Sequence, residues 1–320
     1  MRTVIFVVGI VTTACTDERR GAPDASLGVD AAASADGSPD AESTADAAVD
    51  AAGDDHPSSL SVCWTDATCE RVMLVAHGGA WDLVSAPYDS NAALAAAFDA
   101  GADGVKIDVR VTRDDVPVIA HSSPIESFES SDCDGLVIED STAAEVTACH
   151  RYPSETEAFQ RLDDVLATLE GKMVVQLTVK RPQDYARAIE AVLEASAEDF
   201  AFFEIDTSEL DTLIPEIPGS DSVYYLINID DLSEVDVLLE IASPRAFMYE
   251  MDPTLDVAGL VADRLHPAGI RSFTYDRTAS SEEEIRALYD RGFDVVSTQV
   301  AVEGVAARMA VNEARGVSPP

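Results

Sequence analysis

From Arg71 onward, short apolar runs alternate with amphipathic ones, and that rhythm predicts most of the elements. The run Arg71 to Ala76 is almost wholly apolar between polar neighbours, as in a strand buried on both faces of a parallel sheet. Asn91 to Ala100 is alanine-rich, with Leu94 and Phe98 four apart, and reads as a helix ended by Gly101. Val105, Ile107 and Val109 then alternate with Lys106, Asp108 and Arg110, so a second strand carries Lys106 and Asp108 on one face. Pro117 to Ala120 is a further short strand ending at His121.

From Ser122 to Gln160 the chain is polar and loop-like, with one helix expected over Thr142 to Cys149, capped by Ser141 or Thr142 and with Glu145 three residues after Thr142. This stretch is expected to be a lid insertion at the mouth of a site. Regular alternation resumes at Leu162. Helices are expected at Leu162–Leu169, Asp184–Ala195, Ser208–Leu213, Leu232–Ile241, Val257–Leu265, Ser281–Arg291 and from Val302. Strands are expected at Met173–Val179, Phe200–Ile205, Val223–Ile227, Ala246–Tyr249, Ile270–Tyr275 and Val295–Thr298. Eight β/α units in succession predict a parallel (β/α)8 TIM barrel with a small lid insertion after the second strand unit. An open doubly wound sheet is the second choice, but no glycine-rich nucleotide loop follows the first strand.

Ahead of the barrel the pattern fails. Met1–Arg2–Thr3 and the apolar run Val4 to Val11 read as a signal peptide, too short to span a bilayer as a mature helix. Residues 1–15 resemble a lipoprotein-type leader in which Cys15 becomes the lipidated first residue, although Thr12 replaces the usual aliphatic side chain. Residues 16–60 are rich in Asp, Ala, Ser and Gly and poor in large apolar side chains, which predicts a disordered tether before a 61–320 barrel. Together these predict an exported, cell-envelope protein joined to a membrane through Cys15. The formal charge of −39 argues against nucleic acid as a partner, since a polyanion repels one. With Cys15 set aside, four cysteines allow three pairings, of which Cys63 with Cys69 and Cys133 with Cys149 is favoured. Zinc is the competing reading, but no Cys-x-x-Cys pair is present.

Chemistry concentrates between Val72 and His121, where His77-Gly78-Gly79, Lys106-Ile107-Asp108 and His121 all fall at predicted strand ends. Together with Pro87, Gly101-Ala102-Asp103-Gly104, Val116 to His121, Leu162 to Leu166, Thr178-Val179-Lys180 and Gly292 to Thr298, these segments resemble the glycerophosphodiester phosphodiesterase family. The resemblance implies a barrel that hydrolyses small or lipid-derived phosphodiesters with two histidines and one divalent cation. It places His77 and His121 on the histidines, Asp108 on a cation ligand and Lys180 on a phosphate-facing lysine. It also shows departures. Lys106 and Thr178 stand where the other two cation carboxylates belong, Gly78 where an arginine is usual, and Tyr88 where a glutamate follows the proline.

One carboxylate beside an ammonium makes a poor site for calcium or magnesium, which need several oxygen ligands. The sequence therefore predicts no metal cofactor unless ligands are relocated, with Glu204, Asp206, Glu250 and Asp252 as the acidic strand-end residues available for that. Lys106 itself is expected to supply the positive charge, as an arginine does in the similar barrels of bacterial phosphatidylinositol-specific phospholipases C. Gly78, Gly79, Thr178, Tyr88, Trp81 and Phe273 complete the expected substrate pocket around His77, His121, Lys106, Asp108 and Lys180. The competing function is a catalytically inactive binding module on the same barrel.

Overall fold

The structure, a computed structural model, describes residues 58–241 and 245–317. The expected leader, Cys15 and residues 16–57 of the expected tether lie outside the described residues.

Ten strands form one sheet: β1 (Met73–His77), β2 (Gly104–Val111), β3 (Pro117–Ile119), β4 (Gln160–Arg161), β5 (Val174–Val179), β6 (Ala201–Asp206), β7 (Tyr224–Asn228), β8 (Ala246–Glu250), β9 (Arg271–Tyr275) and β10 (Val295–Thr298). Eight of them pair in parallel, and β1 bonds to both β10 and β2, so the sheet closes on itself. Helices between the strands complete a (β/α)8 barrel. Strands β3 and β4 are not staves. They continue antiparallel from the outer part of β2, which is how Pro117 to Ala120 adds a strand without adding a β/α unit.

Alternation along β2 divides its side chains as the sequence predicts. Val105, Ile107 and Val109 join the large apolar layer between strands and helices, whereas Lys106 and Asp108 point the other way, into the barrel. Helix Asn91–Ala100 has the predicted ends: the Ser90 side chain accepts from the Ala93 N–H, and Gly101 follows in the left-handed conformation at φ 91°. The last helix, Ala301–Ala314, clamps the β1 seam. Asn312 both donates to the Val72 carbonyl and accepts from its N–H, at 3.0 and 2.9 Å, and Arg308 pairs with buried Asp103, whose other oxygen takes the Leu74 N–H at 2.8 Å.

The insertion is more irregular than expected. Its helix covers only Ala143–Val146, and of the two expected caps Thr142 is the one used, in a capping box with Glu145. A small apolar core of Val118, Ala120, Ile125, Ile138, Val146, Cys149 and Phe159 stabilises it, braced by the Cys133–Cys149 disulfide. The Cys63–Cys69 disulfide is also present, so the favoured pairing is the one formed.

The segment ahead of β1, expected only as the start of the barrel domain, forms a turn of its own. The turn Leu60–Trp64 tucks under the barrel, and Leu60 and Trp64 are buried with Met73, Val174, Phe202 and Val295 near the strand beginnings. A Cβ on Gly104 would lie 3.1 Å from the Trp64 ring, so the glycine leaves room for the indole. Arg271, also buried, donates to the carbonyls of Cys63 and Arg71 and fastens the segment in place. Trp64→Ala should therefore open a cavity in the barrel floor and cost about 3–5 kcal/mol, read as a lowered midpoint in urea unfolding.

Candidate active site

Parallel register gathers the site at the strand ends, where barrels of this kind carry their chemistry. His77 pairs with Lys106, Lys106 with Gln176, Asp108 with Thr178, and Thr178 with Glu204, so side chains from β1, β2, β5 and β6 stand side by side. At the centre is the Asp108 carboxylate, fully buried. Its Oδ1 accepts from the ammoniums of Lys106 and of Lys180, the latter at 2.7 Å, and its Oδ2 lies 3.3 Å from the Tyr88 hydroxyl. Burial opposes ionisation of Asp108, but the two lysines outweigh it and hold the carboxyl well below the ordinary carboxylate range. The Lys106 ammonium is likewise penalised by burial, yet Asp108, Asp89 and Glu204 keep its pKa raised. Both charges persist at neutral pH.

Behind this pair sits Asp89, fully buried at φ 59°. Its Oδ2 accepts from the Asp108 N–H at 3.2 Å, while Oδ1 has no hydrogen-bond partner. Burial, followed by the neighbouring Asp108 charge, pushes its carboxyl up to about 7. Arg151, buried in turn, donates to the carbonyls of Tyr88 and Ile119 and lies over the Phe159 ring, so it ties the Tyr88–Asp89 turn to the insertion.

The two histidines differ in setting. His77 is partly buried and stacks on Tyr275 with ring centres 4.1 Å apart. Burial, then Lys106, drives its pKa well below 6.5. His121 is exposed on the far side of Tyr88 and its Nδ1 lies 3.1 Å from the Ser122 hydroxyl. Its pKa is also lowered, first by partial desolvation of the ring against its neighbours, with Asp108 pulling the other way. The backbone that carries it is held from both directions. Glu129 accepts from the N–H groups of His121 and Ser122 at 2.8 and 2.7 Å, and Arg110 donates twice to the His121 carbonyl. Glu129 comes from the insertion, so that segment supports the histidine as well as standing at the mouth.

Across the barrel the wall is acidic. Glu204 accepts from Gln176 at 2.9 Å, Thr178 at 2.5 Å and Asn228 at 3.2 Å. Glu250 stands beyond it, its carboxyl held well above the usual range by burial and by Glu204. The cation that the family resemblance implies does not fit this donor set. Asp108 is the one carboxylate at the expected place, its Oδ1 is taken by two ammoniums, and Thr178 gives its hydroxyl to Glu204. Among the described residues no group of three or more His, Cys, Asp or Glu side chains is disposed to hold a metal ion.

The remaining expected pocket residues fall into place differently. Gly78 and Gly79 make the turn after β1, both at positive φ, and a Cβ on Gly79 would strike the Ala93 backbone at 2.6 Å. Trp81 is partly buried at the start of a short helix, Trp81–Val84, that the sequence reading leaves out. Phe273 is buried in the apolar floor with Trp64 and Met248, and Tyr275, two residues on, is the aromatic that meets His77. Alternation along β9 carried that signal. Asp89 had none, because a lone acidic residue in an acidic chain does not announce burial. Asp108→Ala should cost about 3–5 kcal/mol, since it strips a buried ammonium of its carboxylate; urea unfolding measures it, and an unchanged midpoint would show that Lys106 is stabilised from elsewhere.

Comparison with known proteins agrees with this architecture. No curated protein matches the sequence. Among solved structures, a glycerophosphodiester phosphodiesterase from Agrobacterium tumefaciens superposes with a TM-score of 0.60 at 19% identity, over 73% of this chain and 99% of that one. A glycerophosphoryl diester phosphodiesterase from Parabacteroides distasonis gives 0.64 at 16%, over 78% and 90%. A phosphodiesterase from Oleispira antarctica, solved in complex with the product sn-glycerol-3-phosphate, gives 0.57 at 20%, over 77% and 99%. The family model for glycerophosphoryl diester phosphodiesterases matches residues 85–300, which takes in Lys106, Asp108, His121 and Lys180 and begins just after His77. A match over that much of the chain places this protein in the glycerophosphoryl diester phosphodiesterase family.

Proposed function

We propose that the chain is a phosphodiester hydrolase acting on small or lipid-derived glycerophosphodiesters, with two histidines and without a metal ion. The observation that carries this reading is the convergence of two ammoniums on one buried carboxylate, with a histidine on either side of Tyr88. Lys106 and Lys180 supply fixed positive charge where negative charge grows on the phosphoryl oxygens, and Asp108 keeps the pair in place without reorganisation.

His77, kept neutral by burial and Lys106, takes the proton from the attacking oxygen as its bond to phosphorus forms. His121, solvent-accessible and with Asp108 favouring its charged form, delivers a proton to the alcohol oxygen as the opposite P–O bond breaks. Water as the attacking group gives a phosphomonoester directly. A neighbouring hydroxyl of the substrate gives a cyclic phosphate first. Export and an anchor at Cys15 belong to the same proposal; the two disulfides support it, because such bonds persist in oxidising compartments.

Two measurements test the reading. With excess EDTA present and products followed by phosphorus NMR, glycerophosphodiesters should still turn over, and Lys106→Met should lower kcat by roughly 100- to 1000-fold. Turnover only after calcium or magnesium is added sinks metal independence, and silence with and without metal sinks the hydrolase. The pH profile is the second. Burial lowers both histidines, so kcat/KM should peak on the acid side of 6.5 and fall as pH rises and His121 loses its proton. His121→Gln should remove that alkaline limb; a wild-type profile flat over roughly pH 5–8 would rule out the assignment.

A further inference from the structure

Gly78 and Tyr88 occupy one volume. The Tyr88 ring lies across the Gly78 α-carbon so closely that a Cβ there would come within 1.9 Å of Cε2, 2.2 Å of Cδ2 and 2.5 Å of Cζ. Any side chain at position 78 therefore expels the ring. Gly78 also adopts φ 74°, a conformation that favours glycine. The turn is fixed on its other side, since the Gly78 N–H donates to the Lys106 carbonyl at 2.9 Å and the Asp89 N–H to the Gly78 carbonyl at 3.0 Å. The Tyr88 backbone is fixed as well, its carbonyl accepting from buried Arg151 at 2.9 Å. The ring is thus placed by glycine below, backbone bonds behind and Arg151 beside it.

That placement puts the phenol at the centre of the site. The ring centre is 6.0 Å from that of His77 and 6.3 Å from that of His121. Its hydroxyl lies 3.4 Å from the Lys106 ammonium and 3.3 Å from Asp108 Oδ2. Both contacts are long for hydrogen bonds to charged groups, so the hydroxyl gives up little by turning to a stronger acceptor. Burial, then Asp89 and Asp108, push the phenol well above its usual pKa, which keeps it a donor. A phosphoryl oxygen drawn to Lys106 and Lys180 is such an acceptor.

We propose that Tyr88 is a phosphate-contacting catalytic residue, its hydroxyl donating to a non-bridging phosphoryl oxygen between the two histidines, and that Gly78 exists to admit its ring. This rests on the hydrolase reading for the reaction, but the contact with phosphate stands on binding alone.

The experiment pairs turnover with direct binding of sn-glycerol 3-phosphate by titration calorimetry, on the full chain. Tyr88→Phe keeps the ring and removes only the hydroxyl. It should weaken binding roughly 10- to 100-fold, the loss of one hydrogen bond to a charged group, and lower kcat by a similar factor, with the thermal midpoint little changed. Gly78→Ala should cause a comparable loss by displacing the ring, and the double variant should lose no more than Gly78→Ala alone, because both act through one hydroxyl. A shift of the labelled Tyr88 Cζ resonance on adding sn-glycerol 3-phosphate, absent with glycerol, supplies a readout that a packing role would not move. Tyr88→Phe with wild-type binding and kcat overturns the proposal, as do additive losses in the double variant. Wild-type protein that binds the ligand, loses affinity in Tyr88→Phe and yet hydrolyses no diester overturns the hydrolase reading and upholds the Tyr88 contact. Wild-type protein that neither binds nor hydrolyses overturns both.

Discussion

Everything at the open end of this barrel depends on one buried carboxylate shared by two ammoniums. Ionised Asp108 pairs with both Lys106 and Lys180, and it is the largest of the charges that keep the buried Lys106 ammonium protonated. A buried ion pair of this kind adds little net stability over apolar packing. In the proposed hydrolase its value is positional, because charge fixed in a low-dielectric setting acts on a phosphate without first being rearranged.

The surroundings extend the same logic. Asp89 accepts from the Asp108 N–H, Glu129 and Arg110 clamp the backbone of His121, and Arg151 holds the Tyr88 carbonyl. Each is an ionisable side chain that orients main chain. Glu204 and Glu250 stand beyond the lysines, and the Glu204 carboxylate adds to the charges that keep Lys106 protonated.

How far the sequence spoke for itself follows from the same physics. Barrel staves buried on both faces have nearly continuous apolar sequences, and helices against them keep a stripe, so β5, β6, β10 and the helices Asn91–Ala100 and Leu162–Leu169 were legible almost to the residue. The pairing of Lys106 with Asp108 was equally plain, because alternation alone puts them on one face. What alternation cannot express is contact between distant segments that follow no period. The Leu60–Trp64 turn beneath the barrel, Asp89 behind Asp108, and Glu129 under His121 are all of this kind. Gly78 and Tyr88 were both visible as departures from the family pattern, but only coordinates show that they are one departure rather than two.

The barrel floor has a consequence of a different sort. Leu60 and Trp64 enter from beneath, Leu60 bonds to the Asp199 carbonyl just ahead of β6, and the Cys63–Cys69 loop and Arg271 lock the entry. The described chain thus begins at the closed end, opposite the histidines. Reducing that disulfide would therefore loosen the floor around Trp64, while β1, β2 and β5 go on holding Asp108 and the lysines at the other end.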